Sequence, residues 1–347
     1  MTIHFFVNQN ACLASQGNMR DPKLGGTKDV RETMKIHVVI PSFKVEKHIL
    51  QVLSRIGGEV NQIWVVDDKC PNGSGELVQS SSKDDRVRVI FHDENQGVGG
   101  ATVTGYRAAV EAGADVVVKL DGDGQMHPED LPQLIKPITA GLSDYAKGNR
   151  FDSLQELMRM PKSRIFGNAG LSLLSKISSG YWTVNDPNNG FTAIHRSAIE
   201  RIPLEKLSKR YFFESDLLFR LNLASAVVQD VSLPARYGNE KSNLKIWKVV
   251  FEFPWKHFRN YWKRIGYRYY LREWSIGSIE LVAGIALMFT GAIFGISSFL
   301  AAIEVGQTTT AGQVTFASLT IILGFQLLLS FVSYDIQSEP RNPLQGR

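Results

Sequence analysis

Cysteine is nearly absent. The chain of 347 residues holds two, Cys12 and Cys70, far apart and in unlike surroundings. That excludes a disulfide framework and a cysteine-built metal centre. Ile3-His4-Phe5-Phe6-Val7 is not expected to act as a secretory leader: it is too short for a leader's apolar core and no basic stretch precedes it. Residues 1–33 lack hydrophobic periodicity and read as a flexible extension, with Met34 an alternative start of translation. Excess charge is small, +5 in total, so the placement of basic residues says more than their number. Two stretches lack charge altogether, 281–303 and 314–334.

What is present centres on 116–128, Val-Val-Val-Lys-Leu-Asp-Gly-Asp-Gly-Gln-Met-His-Pro. The β-branched run reads as a buried strand. It ends on Asp121 and Asp123, and positions i and i+2 of a strand point the same way. Gly122 and Gly124 allow a tight turn and close approach of a ligand. Paired carboxylates suit a hard divalent cation that also takes phosphate oxygens. The competing reading is an acidic turn after a strand.

Around this stretch, strands and helices alternate. Strands are expected at 35–40, 62–66, 87–91, 116–120, 144–148, 191–194, 227–231 and 233–237. Helices are expected at 45–56, 76–82, from the glycine turn to 112, and at 128–139, 163–178, 197–202 and 213–224. The alternation predicts βαβ units and a mostly parallel, Rossmann-like sheet, an α/β class. Ligands sit at the carboxyl ends of such strands. Those ends carry Pro41-Ser42-Phe43, Asp67-Asp68 and Asp121-Gly122-Asp123. The turn Gly97-Val98-Gly99-Gly100 reads either as an anion-binding helix start or as a closely packed helix entry. It lacks the Lys-Ser/Thr of a Walker loop.

Taken in order, these elements resemble the inverting GT-A glycosyltransferases of glycosyltransferase family 2, and within them the dolichyl- and polyprenyl-phosphate sugar synthases. The resemblance rests on Val-Ile-Pro-Ser-Phe-Lys-Val-Glu (39–46), Val-Val-Asp-Asp (65–68), Asn95 with Gly97, Gly105-Tyr106, the 121–128 motif, Asn189-Gly190-Phe191 and Phe213-Glu214-Ser215-Asp216. It implies a nucleotide-sugar donor, UDP-linked in preference to GDP-linked. Pro41, Phe43 and Glu46 would shape the nucleoside pocket, and Asp67 or Asp68 would contact the base. Gly97, Asp121 and Gly122 would complete the donor site. Asp121, Asp123 and Gln125 would hold Mg²⁺ or Mn²⁺. The chain departs from the pattern at Lys69-Cys70-Pro71-Asn72-Gly73.

Glu214 and Asp216 stand where relatives often place a general base. A phosphate acceptor is already ionised and needs cations more than a base. There these acids would orient a loop, counter an arginine or cap a helix. Arg236, with Lys241 and Ser242, resembles a segment binding donor and acceptor phosphates. Arginine's fork suits that task, although solvated basic residues near a membrane would read the same way.

Residues 243–272 interleave aromatic and basic side chains, and Pro254 predicts a break into two helices. Such a pair fits the membrane interface. Aromatic–basic interleaving also serves single-stranded nucleic acid, but the uncharged stretches that follow argue for membrane and no nucleic acid. Each is close to the ~20 residues that cross a bilayer. They predict a two-helix hairpin, with Glu280 at its near boundary. The connecting residues 304–313 hold no Lys or Arg, which places the catalytic part in the cytoplasm.

The expected organisation is an extension (1–33), a GT-A domain (34–242), interfacial helices (243–274), a transmembrane hairpin (275–334) and a loose polar tail (335–347). The expected activity is metal-dependent, inverting transfer of a sugar to polyprenyl phosphate in cell-envelope glycan synthesis. A homo-oligomer is compatible with the sequence. Three alternatives stand beside it. One is a hydroxyl acceptor on a glycolipid or lipid-linked saccharide, with Asp216 as base. Another is a non-catalytic membrane scaffold. The third is a processive polysaccharide synthase, against which the chain lacks Gln-x-x-Arg-Trp and has only two spans.

Overall fold

The computed structural model describes residues 34–149, 162–233 and 246–346. The extension 1–33, the expected loop 151–161, and Arg236, Lys241 and Ser242 lie outside the described residues. The first half alternates β1 (Ile36–Ser42), α1 (Ile49–Ser54), β2 (Gln62–Asp67), α2 (Ser74–Ser81), β3 (Val87–Phe91), α3 (Val98–Glu111) and β4 (Val116–Lys119). Then come α4 (Leu131–Thr139), entered through a 3-10 turn at Pro128–Asp130, β5 (Tyr145–Asn149), α5 (Lys162–Ser179), β6 (Thr192–His195), α6 (Arg196–Arg201), α7 (Phe213–Leu223) and β7 (Val228–Ser232). The chain finishes with α8 (Ile246–Gly266), a π-helical turn at Tyr267–Arg272, and the long helices α9 (Ile276–Glu304) and α10 (Ala311–Gln337).

One seven-stranded sheet has the order β3-β2-β1-β4-β6-β5-β7. β6 runs antiparallel to β4 and β5, and the other pairs are parallel. Period-two alternation divides the core. Val38, Ile40 and Val118 face one helical layer, while Val39, Val117 and Ile194 face the other with Tyr106, Leu217 and Leu221. β1 continues through Pro41, where a stop was expected. β4 pairs only with Ile36 to Val39, while Pro41 pairs with Val66 of β2, so the missing proline N–H falls beyond β4's ladder. The helix expected from residue 45 starts at Ile49, because Lys44 is left-handed (φ 59°) and a turn precedes the helix. Of the strand expected at 233–237, residues 234–237 lie outside the described residues.

Pro254 does not split α8. A proline inside a helix costs about 3 kcal/mol, but packing on both sides holds this one in place. Phe253 and His257 both stand edge-on to Phe212, at 5.2 and 4.9 Å between ring centres.

α9 and α10 are long and apolar enough to cross a membrane. Gly277, Gly284 and Gly291 repeat every seven residues and share one face. A Cβ on Gly284 would lie 3.0 Å from the Gly324 carbonyl oxygen, and one on Gly291 would lie 3.0 Å from that of Ala317. Small residues let the two backbones meet. Phe289, Ile293, Ile296 and Phe299 are exposed. Glu280 accepts a hydrogen bond from Ser330 Oγ (2.7 Å).

The tail from Asp335 is not loose. Asp335 is buried and accepts from Arg264 Nη1 (2.6 Å) and Nη2 (2.8 Å) and from Tyr269 Oη (2.7 Å). Arg264 is fully buried and also donates to the Ile177 carbonyl (2.9 Å). Hairpin, α8 and α5 therefore share one ion-paired node. Further on, Leu344 enters the core beside Ala198 and Val228, and its N–H donates to Asp144 Oδ1 (2.7 Å). A lone apolar residue in a polar tail has no periodicity to betray it.

Leu344→Ala is expected to destabilise the protein by about 3 kcal/mol, read as a lowered unfolding midpoint in detergent. An unchanged midpoint would mean that the tail contributes nothing to the core.

Candidate active site

The carboxyl ends of β1 and β2 are clasped together. The Lys44 N–H donates to Cys70 Sγ (3.1 Å), the Val45 N–H to Ser74 Oγ (3.3 Å), and Asn72 Nδ2 to Glu46 Oε1 (2.8 Å). Cys70, part of the departing 69–73 segment, is thus a joint between loops. Burial alone would raise its thiol pKa, but hydrogen bonds from Ser74 and from the Lys44 and other amides outweigh that and lower it. Lys44 and Lys69 both adopt positive φ (59° and 52°) flanking this joint. Such conformations carry strain in non-glycine residues and cluster at functional loops. Phe43 is exposed beside it.

Asp67 and Asp68 are buried and already engaged. Asp67 accepts from the Cys70 and Gly75 amides (2.7 Å each). Asp68 accepts from the Gln96 and Gly97 amides (2.8 and 2.7 Å) and pairs with His92 Nδ1 (2.9 Å). Gly97 has φ 88°, and a Cβ there would lie 2.6 Å from the Lys209 carbonyl oxygen. That carbonyl accepts the Gly99 and Gly100 N–H groups (2.8 and 3.1 Å). The glycine turn is therefore a closely packed helix entry, and these amides serve the protein rather than an anion.

At β4, Lys119 is 1% exposed. Its ammonium donates to Asp121 Oδ1 (2.8 Å) and to the Gly190 carbonyl (3.3 Å), and stands 3.3 Å from Glu214 Oε1. Burial opposes its charge, but the Asp121 and Glu214 carboxylates prevail and raise its pKa. Gly190 must be glycine, since a Cβ would sit 2.5 Å from Asp121 Oδ2 and 2.7 Å from Lys119 Nζ. The preceding carbonyl, that of Asn189, is capped by a second buried lysine, Lys147. Burial lowers the Lys147 pKa to about 8, against the pull of Glu214 and Asp186.

The loop after β4 is fixed at its far end as well. Arg55 forms a bidentate pair with Glu129 (2.7 Å for each bond) and contacts His127 Nδ1 (2.6 Å). Between these anchors, Asp123 Oδ1 accepts the Gln125 N–H (3.0 Å) and Gln125 is exposed. Gly122 lies over Ile40 and Val45, where a Cβ would be 3.2 Å from each. Asp121, Asp123 and Gln125 thus share a braced loop whose donors are all oxygens, a set that fits a hard divalent cation. Among the described residues no group of three His, Cys, Asp or Glu is poised around a metal; a diphosphate would have to complete the shell.

Glu214 and Asp216 part company. Two positions apart on a helix they face different ways. Glu214 joins Lys119. Asp216, 3% exposed, accepts from the Ser208 N–H (2.9 Å), Arg220 Nε (3.3 Å) and Asn260 Nδ2 (3.1 Å).

Sequence reasoning missed Lys119, Lys147, His92 and Asn260. A lysine inside an apolar strand, two residues before an acid pair, is the one signal that was available. Lys119→Met is expected to cost about 3–5 kcal/mol, because it strands Asp121 and Glu214. Adding Glu214→Gln should return about 1–3 kcal/mol of coupling in a double-mutant cycle. Strict additivity in denaturant melts would contradict the bridge.

Residues 37–203 match the family described as Glycosyl transferase family 2. The chain is 30% identical over 215 residues to the UDP-N-acetylglucosamine–dolichyl-phosphate N-acetylglucosaminyltransferase of Methanococcus voltae, covering 56% of this chain and 85% of that protein. It is also 30% identical over 220 residues to the polyprenol monophosphomannose synthase of Mycolicibacterium smegmatis, covering 62% and 80%. Among solved structures, glucosyl-3-phosphoglycerate synthase from Mycobacterium tuberculosis, bound to Mn²⁺, UDP and phosphoglyceric acid, superposes with a TM-score of 0.50 at 19% identity, covering 67% and 79%. That likeness concerns the fold, which is of the GT-A type. With the braced acidic loop at the end of a Rossmann-like sheet, these matches make the chain a glycosyltransferase belonging to glycosyl transferase family 2.

Proposed function

We propose that the protein moves a single sugar from a nucleotide sugar, UDP-linked in preference to GDP-linked, onto polyprenyl phosphate at the cytoplasmic face of a membrane. The observation that carries this reading is the fastening of the domain with the acidic rim to a pair of long apolar helices through Arg264 and Asp335. A carrier lipid too insoluble to diffuse to a free enzyme would meet the site at the bilayer. The relatives in Methanococcus and Mycolicibacterium are named for transfer to dolichyl phosphate and for polyprenol monophosphomannose synthesis, with different sugars. That agrees in acceptor class and leaves the sugar open.

Asp121, Asp123 and Gln125 would hold Mg²⁺ or Mn²⁺. A bound divalent ion would neutralise the diphosphate as it departs. The chain's own residues do the rest. Lys119 fixes Asp121 Oδ1, and the bare Gly190 leaves room beside Oδ2. Pro41, Phe43 and Glu46 stand at the β1 edge, where the nucleoside would lie, and Asp67 and Asp68 stiffen the β2 edge by accepting the Cys70 amide of the following loop and the Gln96 amide ahead of α3. An acceptor phosphate oxygen would attack the anomeric carbon opposite the leaving group, inverting it. Arg236, Lys241 and Ser242 are proposed to hold that phosphate. No base is required, since the phosphate is already ionised. The engagement of Asp216 by Ser208, Arg220 and Asn260 supports this choice over a hydroxyl acceptor. The basic residues before α9, and their absence from 304–313, support a cytoplasmic orientation of the catalytic domain.

Two variants test the chemistry in vesicles supplied with radiolabelled UDP-sugars, undecaprenyl phosphate and Mn²⁺. Asp123→Asn should reduce label in the lipid phase about a hundredfold or more. Asp216→Asn should lower stability but slow transfer far less than the 10²–10⁴-fold worth of a general base, roughly tenfold at most. A loss of that larger size with UDP binding intact would instead assign Asp216 as base to a hydroxyl acceptor.

A further inference from the structure

α8 has two unlike faces. Phe253, His257, Asn260 and Arg264 recur every three or four residues and are all buried against the catalytic domain or the hairpin. Trp255, Phe258 and Trp262 are 66%, 53% and 46% exposed and form a continuous aromatic strip, with ring centres 5.8 and 6.1 Å apart. Rings of this kind seat at headgroup depth.

The buried face meets the amino end of α7. Phe212 packs on Phe253 and His257, while His257 Nδ1 is 2.7 Å from Ser178 Oγ. The polar link is Asn260 Nδ2 to Asp216 Oδ1, at 3.1 Å, with Asn260 only 2% exposed. From Asp216 the contacts run two ways. Through Oδ2 the acid holds the Ser208 N–H, next to Lys209, whose carbonyl caps α3 beneath Asp68. Two positions earlier on α7, on another face of the helix, Glu214 reaches Lys119 and, through it, Asp121. Apolar contacts tolerate a helix turning about its axis by a few degrees. A buried amide–carboxylate hydrogen bond does not, because the alternative leaves the Asn260 amide and Asp216 Oδ1 buried without each other, with only Oδ2 still held by Ser208 and Arg220.

We propose that Asn260 is a positioning residue that carries the seating of α8 in the lipid surface to the start of α7, and from there to Glu214, Lys119 and Asp121. The inference rests on the reading of the protein as a polyprenyl-phosphate sugar transferase. The occupant of the aromatic strip is the bilayer interface. A helix lying in lipid fixes the rotation of Asn260, and the hydrogen bond sets the position of the acids at the acceptor side. In a micelle the same helix is less constrained and the acids spread over more positions. UDP would draw most of its contacts from the ends of β1 and β2, so its ground-state affinity should respond far less than turnover to a small shift of Asp121.

The test compares the full-length protein in lipid nanodiscs and in detergent micelles, with undecaprenyl phosphate and a labelled UDP-sugar. Wild type should show kcat about tenfold higher in nanodiscs, within the range of ordinary coupling between sites. Asn260→Leu should lose most of that ratio, with kcat in nanodiscs falling to the micelle value and the UDP dissociation constant within about twofold of wild type. Should Asn260→Leu fail to fold, the double substitution Trp255→Ala with Trp262→Ala leaves the buried bond intact and removes only the lipid-facing rings; it too should abolish the ratio. An undiminished ratio in either folded variant, or a wild-type ratio near one, overturns the inference. An absence of labelled lipid from wild type in both settings would instead overturn the transfer reading beneath it.

Discussion

A buried ammonium between two carboxylates is the constraint on which the site depends. Lys119 lies in the middle of the sheet, where an unpaired charge would be costly. One partner is local, Asp121 of the next turn, and two come from distant parts of the chain: Glu214 from α7 and the Gly190 carbonyl from the loop before β6. Satisfying that one charge draws the acidic loop after β4, the loop before β6 and α7 to a single point. It also explains why residue 190 has no side chain. The Asp121 carboxylate is thereby held by one oxygen; in the proposed donor site this would leave little reorganisation for the moment of reaction.

A second buried pair performs the same service for the membrane part. Arg264 and Asp335 join the interfacial helix to the hairpin, and Arg264 reaches back to α5. Gly180 makes room for its guanidinium, since a Cβ there would lie 2.6 Å from Nη1. Arg268 bonds Asn222 of α7 and Arg272 bonds Ser225 just beyond it, so the π-helical turn is stitched to the catalytic domain. Buried ion pairs are weak sources of net stability but good devices for fixing one arrangement. Here the arrangement fixed is that of the catalytic domain relative to the two long apolar helices.

Much of this was legible in the sequence because periodicity is local. Strands β1 to β4 and the two long helices followed from apolar runs and their spacing. The acid pair stood out because Asp121 and Asp123 close a β-branched run. The rest depended on contacts between distant residues. Lys119 reads as an ordinary strand residue until Glu214 is placed beside it, nearly a hundred residues later. The break expected at Pro254 was overridden by Phe212, which no local rule connects to α8. The tail looked loose because Leu344 stands alone and Asp335 looks like a solvated acid; their partners, Asp144 and Arg264, are far away in sequence. Asp216 matched a catalytic position by motif, yet its hydrogen bonds to Ser208 and Asn260 could be seen only in three dimensions.

The claim that binds these observations is that the rim serves a phosphate acceptor in a membrane. Its most direct test is mass spectrometry of the lipid product made by the purified protein in nanodiscs with undecaprenyl phosphate, Mn²⁺ and a panel of UDP- and GDP-sugars, together with NMR of the anomeric proton. The account predicts one sugar per lipid, joined through a single phosphate, with the anomeric configuration opposite to that of the donor. Retention of the donor's configuration, several sugars per lipid, or a sugar found only on a hydroxyl group would contradict it.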